Sequence, residues 1–253
     1  MSVAIAHSAV TPVTRRHAAW VRLSHWILTA SVVTLAISGV FILMVHPRLY
    51  WGEVGNDLTP ALIELPISRN HRHGGWEGAT PFFANAGSPV SASRTFDIFN
   101  QNGWGRSLHF LAAWCLVLPG AVYLLYGTGG HFRTNLVPTS ADLAPRRLWS
   151  DASVHLRFRV PATSARGHYG VLQKCAYSFV VFVNVPLIVL TGLAMSPAVT
   201  AALPVLRMFG GYQSARTIHF FAFVALIVFA FGHVAMVIRS GFRRQIRAMT
   251  IGE

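Results

Sequence analysis

Charged residues along the chain leave four long apolar runs, separated by polar connections rich in proline and glycine. Trp26 to Val45, Ser107 to Tyr126, Cys175 to Met195 and Thr217 to Ile238 contain no Asp, Glu, Lys or Arg. Each run is about the 20 residues a helix needs to cross a hydrocarbon core. Backbone in contact with lipid must satisfy its hydrogen bonds internally, so the runs predict four transmembrane helices, at about 24–45, 106–126, 170–195 and 215–239. The first run is too long for a signal-peptide core, and "FILMVHPRLYW" at its end offers no small-x-small cleavage site, so it is expected to remain as a helix. Pro119 beside Gly120 and Pro186 after Asn184 interrupt the second and third runs. Membrane helices tolerate such bends where neighbours take up the freed carbonyls.

The connections differ in length and character. Residues 46–106 form a long first loop rich in turn formers, for which a short helix near Pro60 to Leu65 is expected. Loops of this length are usually functional or disordered. The second connection, Gly127 to about Lys174, is basic and punctuated by proline, and the third, Ser196 to Arg216, is short. No period of 20 to 50 residues marks a solenoid or propeller. The expectation is an all-α fold, an integral membrane four-helix bundle forming one domain over 1–253.

Composition agrees with a membrane protein. The chain has 253 residues, a mean hydropathy of +0.47 and only 11% charged residues, where a soluble domain carries about 25%. A net charge of +13 raises the question of nucleic acid, but the placement of the charges answers it. Arg15, Arg16 and Arg22 precede the first run. Arg133, Arg146, Arg147, Arg157, Arg159, Arg166 and Lys174 lie in the second connection, and Arg239, Arg243, Arg244 and Arg247 in the tail. The basic residues flank the spans and form no aromatic-interleaved face of the kind that binds nucleic acid. By the positive-inside rule, both termini and the second connection are cytoplasmic. Cys115 and Cys175 form no C-x-x-C or C-x-x-C-H, so they are read as buried small hydrophobes and not as a disulfide, a zinc site or a haem attachment.

Of twelve histidines, His25, His109, His219 and His233 lie within a span or at its mouth. Ionisable groups at membrane depth are costly and mark functional sites. With the N-terminus inside, His25 and His233 share the cytoplasmic level, and His109 and His219 the external one. Fourteen residues separate His219 from His233, which is about 21 Å of rise and only about 40° of rotation, so one helix offers a ligand at each level on nearly one face. Zinc or copper would ask for three or four ligands at one depth. Two imidazoles at each of two levels fit the axial ligands of two b-type haems.

An arginine stands at i−3 from three of these histidines, in "RLSH" (Arg22, His25), "RSLH" (Arg106, His109) and "RTIH" (Arg216, His219). Position i−3 is one turn away on the same side, where a guanidinium can hold a haem propionate bidentately. Gly39, fourteen residues after His25, falls at the external level and offers space for a macrocycle.

The set "RLSHW", "RSLHFLAAW", "LQKCAY...PLIVLTGLAMSP" and "ARTIHFFAF...FGHVAMV" resembles the four-helix di-haem cytochromes b. These are the cytochrome b subunits of nickel-iron hydrogenases and formate dehydrogenase and the prokaryotic cytochrome b561 proteins. The resemblance covers all four spans and implies axial ligation by His25, His109, His219 and His233. It further implies a place in the bacterial inner membrane, in a respiratory chain, with electrons exchanged between quinone and a partner protein. The first loop, with "RLYWGEVGND", is similar to members that accompany periplasmic molybdopterin oxidoreductases. Tyr169 is followed by Gly170 and Val171, where related sequences often have Asn-Pro. His168 and Lys174 are candidate quinone-site residues beside the cytoplasmic haem.

Two other functions are weighed against an electron-transfer subunit. A stand-alone superoxide:quinone oxidoreductase would use Arg106, Arg207 and Arg216 to steer an anion to the external haem, but a first loop of about 60 residues points instead to a partner or a lid. A haem-free transporter would place polar or charged groups at the midplane, where Asn184 is the one carboxamide expected inside the spans.

Overall fold

The computed structural model describes residues 18–56, 59–67, 102–128, 130, 132–156 and 170–252. Four helices in it are long and apolar enough to cross a membrane: α1 (Ala19–Val45), α2 (Asn102–Gly127), α4 (Val171–Ala194) and α6 (Tyr212–Arg239). All four hydropathy runs are therefore helical, apart from Met195 at the end of the third, and each helix starts several residues before its run. The extension of α4 and α6 adds Gln173 and Gln213 to the carboxamides inside the spans. Side chains such as Leu125 (73% exposed) and Phe231 (74%) stand on the outer surface, as apolar groups facing lipid do.

The helices pack as two consecutive pairs, α1 along α2 and α4 along α6. Several serine and threonine hydroxyls on these helices turn back to carbonyls of their own preceding turn, as Ser31 Oγ does to Ile27 O at 2.8 Å and Thr34 Oγ1 to Ala30 O at 2.9 Å, and so need no polar partner on another helix. α2 runs on through Pro119. α4 answers Pro186 with a π-helical turn over Val180–Asn184, the local widening that lets a helix absorb a missing i−4 bond. Asn184, 2% exposed, ends that turn and donates Nδ2–H to Ala222 O on α6 at 3.1 Å.

Between the spans the structure departs from the sequence reading at several points. Strand β1 (Arg48–Leu49) pairs antiparallel with β2 (Ile63–Glu64), in register Arg48 to Glu64 and Leu49 to Ile63. A strand thus stands where a short helix near Pro60 to Leu65 was expected. Leu49 and Tyr50 are fully buried, and this tertiary burial overrides a weak local helix signal. The basic second connection contains a π-helical turn (Phe132–Leu136) and the amphipathic helix α3 (Pro145–Leu156). Phe132 lies so close to Gly127 that any side chain there would overlap its ring. The third connection carries α5 (Pro197–Ala202) and a 3-10 turn (Pro204–Phe209), packed in a small core of Ala194, Leu206 and Ala215. Gly210 and Gly211, with φ of 81° and 102°, turn the chain into α6.

The tail forms α7 (Phe242–Thr250), with Phe242, Ile246 and Met249 at helical spacing and Arg243, Arg244 and Arg247 between them. It folds back on α1, where the Trp26 indole N–H donates to Met249 O at 2.9 Å and Arg22 lies against Gly252. Cys115 is exposed on α2 and Cys175 half-exposed on α4, so neither is the buried hydrophobe expected. In a bundle of four helices, half of each surface faces outward.

Candidate functional site

His25 on α1 faces His233 on α6 with ring centroids 6.3 Å apart, and His109 on α2 faces His219 on α6 at 6.4 Å. With a nitrogen–metal bond of about 2.0 Å and about 1.1 Å from ring nitrogen to ring centre, two imidazoles gripping one ion from opposite sides have centroids about 6.2 Å apart. Both pairs have that spacing. Among the described residues no group of three or more His, Cys, Asp or Glu is gathered in metal-binding range. Each pair would therefore suit a group held by two imidazoles, such as a b-type haem, better than a metal ion that needs three or four protein ligands.

The backbone fixes which ring nitrogen is available. Ser38 Oγ donates to Thr34 O at 2.7 Å and lies 3.0 Å from His109 Nδ1. Thr191 Oγ1 donates to Leu187 O at 2.7 Å and lies 3.1 Å from His219 Nδ1. Each hydroxyl has one proton and has committed it, so it accepts from the imidazole. His219 Nδ1 also lies 3.0 Å from Ile188 O, an oxygen that can only accept, and the Leu35 backbone is the corresponding partner of His109. Both rings thus carry their proton on Nδ1 and present the Nε2 lone pair, as metal-ligating histidines do. At the other level His233 Nδ1 lies 3.3 Å from the Tyr177 hydroxyl, which accepts from Gln173 Nε2 at 3.1 Å.

Gly39 and Gly192 directly follow Ser38 and Thr191. A Cβ at Gly39 would meet His109 Cε1 at 3.5 Å, and one at Gly192 would meet His219 Cε1 at 3.5 Å. Gly39 is thus at the level of the second imidazole pair and against the ring of His109.

The segment from His46 to Gly55 is stitched onto the first turn of α6, which begins at Gly211 without a side-chain cap. Glu53 Oε2 accepts from Tyr212 N at 3.1 Å, Gly52 O from Gln213 N at 3.0 Å and from Ser214 N at 3.2 Å. Thr217 Oγ1 donates to Tyr50 O at 2.6 Å, and Ser214 Oγ accepts from Gly52 N at 2.8 Å. The orphan N–H groups of a helix start are satisfied by another part of the chain, two turns from His219. Arg216 takes part: its guanidinium donates to Arg48 O at 2.8 Å and to His46 O.

The remaining residues singled out from the sequence fall as follows. Arg22 is half-buried and Arg106 exposed. Lys174 forms an ion pair with Asp142 at 3.1 Å, while His168 lies outside the described residues. The Thr139 backbone N–H, together with Lys174, holds the Asp142 carboxyl down at about 2.

Sequence reading missed Ser38, Thr191, Gly192 and Tyr177. A signal for the first three was present, because "SGVF" on α1 with "RSLHF" on α2 is echoed by "TGLA" on α4 with "RTIHF" on α6. That echo spans two separated helix pairs, so no fixed short period exposes it.

The family model described as prokaryotic cytochrome b561 matches residues 16–252. The chain is 28% identical over 222 residues to a protein of Azospira oryzae provisionally named protein-methionine-sulfoxide reductase subunit YedZ1, covering 87% of this chain and 89% of that one. No solved structure matches the chain.

Proposed function

The chain belongs to the prokaryotic cytochrome b561 family, and from that premise we propose that this bacterial membrane haem protein is a di-haem electron-transfer subunit working between the quinone pool and an oxidoreductase on the external face. The observation that carries the reading is the pair of matching imidazole separations, 6.3 Å and 6.4 Å, at two levels of one bundle. Bound haem b supplies reversible one-electron redox chemistry. His25 and His233 would hold one group near the termini, and His109 and His219 the other near the β1–β2 hairpin. Through His219 and His233, α6 gives a ligand at each level, about 21 Å apart along its axis.

The distribution of arginine and lysine supports cytoplasmic termini and a cytoplasmic second connection. Arg22, Arg106 and Arg216, each one turn from its histidine, are the candidates for propionate contact. Arg216 keeps further N–H donors beyond those given to His46 and Arg48. Gly39 lets α1 lie directly against the His109 ring, where a Cβ would meet Cε1 at 3.5 Å. His168 and Lys174 would lie beside a quinone site, with Lys174 positioned by Asp142. The external face, built from β1, β2, α5 and the 3-10 turn, is the docking side in this reading. The Azospira oryzae protein's designation as a reductase subunit supports an enzyme partner, of which the periplasmic molybdopterin type is the candidate.

The test is a reduced-minus-oxidised spectrum with a haem-to-polypeptide count on the purified full chain, followed by mixing with a short-chain quinol. Two b-type haems per chain, reduced by quinol, are expected. One haem or none, or two that quinol leaves oxidised, would defeat the proposal.

A further inference from the structure

The external imidazole pair is built twice over by the same device. On α1 a hydroxyl residue followed by glycine, Ser38–Gly39, meets the His109 ring, and on α4 Thr191–Gly192 meets the His219 ring. In both cases the hydroxyl proton goes to the carbonyl four residues back, at 2.7 Å. In both, the residue three before the hydroxyl, Leu35 or Ile188, offers its backbone to the same imidazole. Ser38 and Thr191 are 0% exposed, so no water competes for these bonds. The histidines that receive them stand in matching contexts, "RSLHF" and "RTIHF". In the other pair His233 meets the phenol of Tyr177 instead.

We propose that Ser38 and Thr191 are equivalent positioning residues for the external haem, which fix the Nδ1–H tautomer of His109 and His219 and set the electron-donating strength of both axial ligands. The inference rests on the di-haem reading above. A hydroxyl that has already donated its proton is a polarised acceptor, and accepting from Nδ1–H makes an imidazole a more basic ligand. A more basic ligand stabilises the ferric over the ferrous state. Removing the acceptor therefore favours the reduced form, and because the two hydroxyls act on opposite sides of one iron, their effects combine on one redox couple and leave the second untouched. The backbone oxygens of Leu35 and Ile188 remain, so each single substitution weakens the effect without abolishing ligation.

The experiment is a redox titration, with low-spin electron paramagnetic resonance, of the full chain carrying Ser38→Ala, Thr191→Val or both. Ser178→Ala serves as control, because Ser178 is a half-buried α4 hydroxyl that donates to Leu136 O at 2.9 Å and touches no imidazole. Each single variant is expected to raise the reduced-to-oxidised ratio of one couple by about threefold at fixed potential, and the double variant by about tenfold, tenfold being about 59 mV for one electron. The second couple and the control should not move, and Thr191→Ser should restore wild-type behaviour. Should a variant shed one haem, recovery of that haem with Ser38→Thr or Thr191→Ser supports the proposal, and failure to recover it overturns it. Unmoved midpoints and signals in protein that retains two haems would overturn it while leaving the di-haem reading intact. Wild-type protein without two haems would instead remove the reading beneath it.

Discussion

The carboxylate of Asp151 accepts the backbone N–H of Leu172 at 2.8 Å, so a residue of the basic second connection caps the third membrane helix. Gly170, at the N-cap position, has no side chain to do so and lies close under Asp151. Helix starts expose N–H groups and partial positive charge, and a carboxylate answers both. Asp151→Ala is expected to lower stability by about 1 kcal/mol, with Asp151→Asn recovering part of it. Denaturant unfolding of the detergent-solubilised protein measures this, and an unchanged midpoint would show that the contact is incidental.

Asn184→Leu removes the carboxamide that bridges α4 to α6 at Ala222. Polar bonds between membrane helices contribute about 0.6 kcal/mol on average and up to about 1.7. The substitution is expected to cost an amount in that range, read by unfolding in mixed micelles. A stabilised variant would mean that apolar packing at the π-helical turn outweighs the bond.

Asp142 gives the pH dependence. Its carboxyl is held at about 2 against an ordinary value of 3.8, chiefly by the Thr139 backbone N–H and then by Lys174. A depressed carboxylate contributes stability that is complete above its unfolded value and lost as pH falls through its folded one. The tether between Thr139–Asp142 and α4 should therefore hold down to about pH 4 and weaken between pH 4 and 2. Limited proteolysis of the Gly127–Lys174 connection checks this. Asp142→Asn should raise cleavage at neutral pH and flatten the acid dependence, and identical profiles for variant and wild type would refute it.

In the di-haem reading the histidines act in pairs, so their substitutions should be strongly non-additive. His25→Ala, His233→Ala and the double variant are each expected to lose the same haem, about half of the bound total. His109→Ala and His219→Ala should lose the other. Haem-to-polypeptide ratios decide it: four independent partial losses would contradict the facing rings at 6.3 Å and 6.4 Å.

The amino-acid sequence by itself determined the four spans, because about 20 residues without charge leave a lipid-exposed backbone no alternative to the helix. It also placed His219 and His233 at two heights on nearly one face of α6, because helical rise and rotation are local properties. Sequence reading lost detail wherever the outcome depends on a distant neighbour. The strand at Ile63–Glu64 exists through its pairing with Arg48–Leu49, and the amphipathic pattern of Pro145–Leu156 acquires its role only when Asp151 reaches Leu172. Tertiary structure alone decided that the proton on the His109 and His219 imidazoles sits on Nδ1. That choice is made by oxygens of Ser38, Thr191 and Ile188 on neighbouring helices, and hydrogen bonds between helices follow from packing that no single-helix period encodes.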